Sequence, residues 1–267
     1  MIVKLQDSCK AKITYGINIS HNPRWGLREL SLIMGPYHDG EEHERHFLQT
    51  IGSGNWYRSE YEEFRFSKET LLLESVWFHV PEVNLESENF ISLWQFEPPV
   101  EGLLTLSQPQ VFNPEPTTFR WMAPNGEFLA CITEMALLNT NERLRLRIAN
   151  DFDLLFVEQT ICGWMLSHPI NYLVKSWDEP YSVASDEKIA DEKIAEFLYE
   201  YLALVADPYI EQMEDEDPEI LQRLLSLHNR IVVTNGSVNQ RRIISDCIKD
   251  IVEQFYAQTI SSDVLKP

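Results

Sequence analysis

At Trp177-Asp178-Glu179-Pro180 the hydrophobic period of this 267-residue chain changes, and no other feature constrains its fold as strongly. Before that point apolar residues recur at every second position in short runs, the repeat of half-buried strands. After it they recur every three to four positions, the repeat of amphipathic helices. Strands first and helices last define an α+β chain. The expectation is a mostly antiparallel β-rich N-terminal body, either a sandwich or a curved sheet. A C-terminal helical region of about three helices should follow it. The boundary divides the chain into a β-rich domain at 1–177 and an acidic helical domain at 178–267, packed on or beside the first.

Within the first part, Ile13, Tyr15, Ile17 and Ile19 alternate with mostly polar neighbours, and Leu30 to Met34 stops at the turn signal Gly35-Pro36. TLLLESVWFHV at 70–80 ends at Pro81, and FISLWQF at 90–96 ends before Pro98-Pro99; both read as strands. Phe64 and Phe66 flank Arg65 in strand fashion and read as core. The clearest hairpin joins 117–122 to 127–137 through Ala123-Pro124-Asn125-Gly126, where proline fixes φ and Asn-Gly tolerates positive φ. Residues 143–148 put three arginines on one strand face and three aliphatics on the other, and 154–166 completes the sheet.

In the second part, Ser185 can cap a helix striped by Ala190, Ile194, Phe197, Leu198, Tyr201, Leu202 and Val205, which Asp207-Pro208 ends. Asp217-Pro218-Glu219 combines a cap, proline in the first turn and an acid at the positive dipole end. Ile220, Leu221, Leu224, Leu225 and His228 line the inner face of that helix. Ser237 with Gln240 fits a capping box, and Ile244, Cys247, Ile248, Ile251, Val252 and Phe255 stripe the last helix. The tandem DEKIA at 186–195 is a local duplication, because a five-residue unit turns about 500° on a helix and successive copies share no face.

Charge is distributed as unevenly as period. Residues 178–219 hold fifteen Asp or Glu against Lys188 and Lys193, a net −13 of the chain's −20. Residues 220–267 are mildly basic at +2. Such a balance disfavours phosphate backbones and anionic lipid, so direct nucleic-acid or membrane binding is not expected. It favours rapid association with a basic protein partner. Four scattered cysteines form neither a CxxC pair nor a disulfide framework. With no apolar run of membrane-spanning length and no signal-peptide pattern at the start, a reducing cytoplasm is the expected setting.

Catalytic motifs are sparse. There is no GxGxxG, no Walker loop and, at Gly52-Ser53-Gly54, no nucleophile elbow. The densest set of metal-ligand types is His38-Asp39-Gly40-Glu41-Glu42-His43-Glu44-Arg45-His46. On a helix His43 and His46 share a face, and His38, His43 and His46 would suit zinc or manganese, with Glu42 as a base for bound water. This is not HExxH, and an exposed charged loop has the same composition. Arg143, Arg145 and Arg147 form a ridge spaced about 6.8 Å along a strand, suited to an anion or small ligand. The nearby carboxylates favour pairing within the chain. Trp25, Trp56 and Tyr57 have the composition of interface anchors, although each also suits a core.

The reading favoured by these features is a non-enzymatic interaction module. Its acidic surface, centred on Glu214, Asp215, Glu216 and Asp217, would bind a basic macromolecular partner. A toxin-neutralising immunity protein or antitoxin is one concrete form. The alternatives are a metal-dependent hydrolase at the histidines and an anion-binding module at the arginine row.

Overall fold

A computed structural model describes residues 1–53, 62–86, 89–179 and 192–257. Its strands form two sheets. In the first, β1 (Ile2–Gln6), β2 (Cys9–Tyr15), β8 (Pro99–Leu106), β11 (Arg143–Ala149), β12 (Phe152–Val157) and β13 (Thr160–Ser167) follow one another. β1 then pairs in parallel with β13 at Lys4 and Thr160, which closes the six strands into a ring. Closure removes exposed edges that would otherwise template aggregation. β10 (Phe128–Ile132) and β9 (Phe119–Met122) extend from the far half of β13. At this fork stands Gly163, with φ of +148°, where a Cβ would lie 2.2 Å from the Cys131 carbonyl oxygen. Only glycine allows the strands to approach so closely.

The second sheet runs β14 (Leu173–Val174), β3 (Arg24–Gly26), β4 (Ser31–Met34), β7 (Leu73–His79), β6 (Glu63–Ser67) and β5 (Thr50–Gly52). β1 with β13, β8 with β11 and β14 with β3 pair in parallel; the other pairings are antiparallel. The 123–126 turn joins β9 to β10 as its residues require.

Six helices complete the described chain: α1 (Gly40–Gln49), α2 (Asn89–Trp94), α3 (Glu192–Leu204), α4 (Asp207–Glu214), α5 (Pro218–Val233) and α6 (Val238–Tyr256). The four C-terminal ones exceed the expected three because Pro208 does two jobs. It stops α3, and its missing N–H costs nothing in the first turn of α4. Asp217 caps α5 as expected, accepting from the Glu219 and Ile220 amides at 2.7 and 3.4 Å. Ser185 and most of the DEKIA repeat lie outside the described residues.

Two strand expectations fail: the arm read at 127–137 stops at Ile132 and its end, Glu134–Leu137, is a 3-10 helix, and FISLWQF is helical. FISLWQF overlaps α2, which runs Asn89–Trp94, with Trp94 fully buried and Phe96 82% exposed. A seven-residue apolar run does not distinguish helix from strand by period. Here one anchor decides, since Trp94 Nε1 donates to the Ala136 carbonyl at 3.1 Å and holds α2 on the outer face of β10, β12 and β13.

The main core is continuous across residue 177. Leu103, Leu146, Phe152 and Trp164 of the ring share it with Trp25, Phe64 and Phe78 of the second sheet and with Ile194, Leu198, Leu224 and Ile248 of the helices. Each fully buried large aliphatic or aromatic side chain there contributes about 1.5–3 kcal/mol. Polar ties reinforce the join, with Asp250 of α6 meeting Lys175 at 3.2 Å and Arg28 at 3.6 Å.

Candidate functional site

Two arginines of the row are paired within the chain, by Asp153. Asp153 on β12 lies directly across from Arg147 in the strand register and diagonally from Arg145. Arg145 donates to Asp153 through Nε at 3.0 Å and Nη2 at 2.6 Å, and to the Trp94 and Glu97 carbonyls at 3.2 Å each. Arg147 Nε donates to the other Asp153 oxygen at 2.8 Å, which raises the Arg147 pKa. Arg143 lies over the Trp94 ring and donates to the Leu138 carbonyl at 2.7 Å. Arg145 and Arg147 are therefore an internal clamp on one buried carboxylate, with Arg143 held separately, and the row is not an open anion ridge. Among the described residues no acid of the C-terminal helices pairs with the row.

The histidines are also dispersed. Asp39 caps α1 by accepting from the Glu42 amide at 2.8 Å, while Glu42 accepts from the His38 amide. His38 Nδ1 accepts from Arg24 at 2.9 Å. His43 and His46 do share the inner face of α1, as their spacing requires, but His43 Nε2 donates to the buried Glu63 at 3.0 Å and His46 Nε2 bonds Ser75 Oγ at 2.8 Å. Tyr37 packs against both imidazoles. Among the described residues no group of three His, Cys, Asp or Glu is placed to hold a metal. Helical spacing brought the side chains to one face; the facing sheet supplied each with a separate partner.

Trp25 is fully buried between β14 and β4, so it belongs to the core and is no surface anchor. Trp56 and Tyr57 lie outside the described residues. The four cysteines are buried free thiols, and burial pushes each pKa up, which holds them as neutral thiols.

At the α4–α5 junction Glu214, Asp215 and Glu216 are exposed, while Asp217 is spent as the helix cap. Glu216 takes a left-handed φ of +55° in the turn. Glu211 and Glu219 extend the same exposed region. Among the described residues Glu211, Glu214, Asp215 and Glu219 enter no ion pair.

The structure also contains a cleft that the sequence did not disclose. It measures about 590 Å³ and lies between the β9–β10 hairpin, the segment at Asn84 to Glu86, and α3. Its walls include Trp121 and Tyr199, its charged groups include Glu86 and Glu127, and Arg120 lines it from within. Arg120 is fully buried; its Nε donates to Asn84 Oδ1 at 2.7 Å, and its Nη2 to the carbonyls of Leu202 and Val205 at 2.6 and 2.9 Å. Those carbonyls belong to the negative end of α3, so a cation is favoured there. Burial lowers the Arg120 pKa to about 10, with Glu82 and Asp207 acting in the opposite sense. Its sequence signal was weak but real: an arginine between Phe119 and Trp121 in an otherwise apolar strand needs internal acceptors.

Two further buried groups make stability depend on pH in opposite senses. Glu62 accepts from the Thr117 amide at 3.1 Å and hydroxyl at 2.8 Å, and burial raises its pKa from 4.5 to about 8. The folded chain keeps that proton after the unfolded chain has lost it. The stability it contributes is full below 4.5 and lost as pH rises through about 8. His46 is lowered from 6.5 to about 4, chiefly by burial and then by Arg65, so its contribution is full above 6.5 and lost as pH falls through about 4. Denaturant unfolding measured from mildly acidic to alkaline pH should show Glu62→Gln removing the alkaline decline and His46→Gln the acidic one. An unchanged alkaline slope in Glu62→Gln would show that Glu62 is ionised in the fold.

No protein-family model matches the chain, and no curated protein matches it.

Proposed function

We propose that this chain is a non-enzymatic interaction protein whose acidic helical face receives a basic protein partner. The observation that carries this reading is the unspent charge of Glu211, Glu214, Asp215 and Glu219. Two arginines of the row, Arg145 and Arg147, are satisfied instead by Asp153. Exposed carboxylates of one sign repel one another and cost stability, and a positively charged partner relieves that repulsion. Steering of this kind acts mainly on the rate of encounter and falls with salt. Sequestration of a basic toxin by an immunity protein or antitoxin is one setting in which rapid acidic capture is useful.

The test is affinity capture on the immobilised protein from lysate of its source cells. A basic protein should be recovered at low salt and lost at high salt. Recovery should also fail when Glu211, Glu214 and Glu219 are changed to Gln and Asp215 to Asn. Recovery of the same protein in full by that variant would refute the reading.

A further inference from the structure

We infer that the cleft beside α3 is the anchoring pocket for an arginine side chain of the basic partner. The inference rests on the reading that the partner is basic, and adds a place and a chemistry to it. The cleft volume of about 590 Å³ falls within the range of built ligand sites, roughly 300–1,000 Å³. Two kinds of group converge in it. Glu86 and Glu127 supply carboxylates; the 45% exposed Tyr199 supplies aromatic surface, and Trp121, 9% exposed, lines the wall. Carboxylate together with aromatic surface is the pairing that a guanidinium satisfies, through forked hydrogen bonds and stacking on the ring face. Lysine offers a more strongly hydrated point charge and no plane to stack.

The floor adds an independent feature. Arg120 is fully buried, and its Nη1 has no acceptor among the described residues, while its other donors are committed to Asn84, Leu202 and Val205. A buried donor left unmet costs about 1–3 kcal/mol, so an entering acceptor is favoured. An arginine residue in a peptide brings both complements, its guanidinium for Glu86 and Glu127 and its main-chain carbonyl for Arg120. The positive charge of Arg120 does not repel the ligand strongly, because the α3 carbonyls, Glu82 and Asp207 offset it. A cation held in this way, packed and desolvated at the centre of a contact, is the usual form of an interface hot spot.

Isothermal titration with an acetylated and amidated Gly-Arg-Gly-Arg-Gly peptide tests the assignment. Glu86→Gln with Glu127→Gln should weaken binding by about tenfold or more, and Tyr199→Ala by a few-fold. Replacing arginine in the peptide by citrulline, which keeps shape and loses charge, should abolish binding, and lysine should bind more weakly. Glu214→Gln with Asp215→Asn on the helical face should change binding of this short peptide by less than about threefold. If only that helical-face variant loses the peptide, the cleft is not the arginine pocket, while the acidic-face reading stands. If the cleft variants bind as wild type, or citrulline binds as well as arginine, the inference fails. If the peptide does not bind the wild type at all, the inference also fails, and capture of the partner then judges the acidic-face reading separately.

Discussion

Asp153→Ala is expected to destabilise the protein by about 3–5 kcal/mol, because it leaves two guanidinium groups without their shared carboxylate. Asp153 is fully buried and accepts from Arg145 and Arg147, and Arg145 is itself buried against the Trp94 and Glu97 carbonyls. The guanidinium groups left unpaired must be resolvated or moved. The clamp joins β11 to β12 within the ring and holds the end of α2, so both should loosen together. Denaturant unfolding gives the size of the effect. Asp153→Asn should be nearly as damaging, since an amide oxygen brings no charge and the amide N–H₂ faces donors. Combining Asp153→Leu with Arg145→Met and Arg147→Met should recover much of the loss, because a buried ion network can be replaced by apolar packing. A loss under about 1 kcal/mol for Asp153→Ala would show that water already reaches the clamp.

Arg120→Met should be the second large loss, about 3–4 kcal/mol, and its effect should be seen first in the helices. The substitution keeps much of the side-chain volume but strips the Val205 carbonyl and Asn84 Oδ1 of their donor and leaves the Leu202 carbonyl only the Asn84 amide at 3.3 Å. Those carbonyls end α3, which lies between the β9–β10 hairpin and α5, so loss of their capping cation should fray α3 from its C-terminus. Hydrogen exchange resolved by segment would show faster exchange in α3 than in β11 or β12. Arg120→Lys should restore only part of the stability, because one ammonium cannot span three acceptors arranged for a planar fork. Uniform loosening of the whole chain would instead mean that Arg120 supports the common core and not α3 in particular.

Much of this architecture was legible in the order of residues because it rests on local signals. Pro124-Asn125-Gly126 specifies its own turn, Asp217-Pro218 opens a helix wherever it occurs, and the period change at Trp177 marks a real change from strands to helices. The FISLWQF segment was ambiguous because its conformation depends on Ala136, 42 positions beyond Trp94. The arginine row could have been resolved further. Asn150-Asp151 is the turn between β11 and β12, and counting outward from it sets Asp153 beside Ile148, one residue from Arg147, which the register shift between Arg147 and Ala149 then brings opposite. An acid inside FDLLFV needed a partner, and that register supplied one. The histidines show the opposite limit: helical spacing placed His43 and His46 on one face, but Glu63 and Ser75 come from strands whose register with α1 no local pattern encodes. The cleft was invisible for the same reason, since Glu86, Arg120, Glu127 and Tyr199 meet only after β9, β10 and α3 have packed.

The acidic helical face is the centre of the functional account, and the salt dependence of its affinity for the captured basic protein tests it most directly. Wild-type affinity should fall steeply as salt rises. The variant neutralised at Glu211, Glu214, Asp215 and Glu219 should bind weakly at low salt, with a much shallower dependence. Equal affinity and equal salt slope for the two proteins would contradict the account.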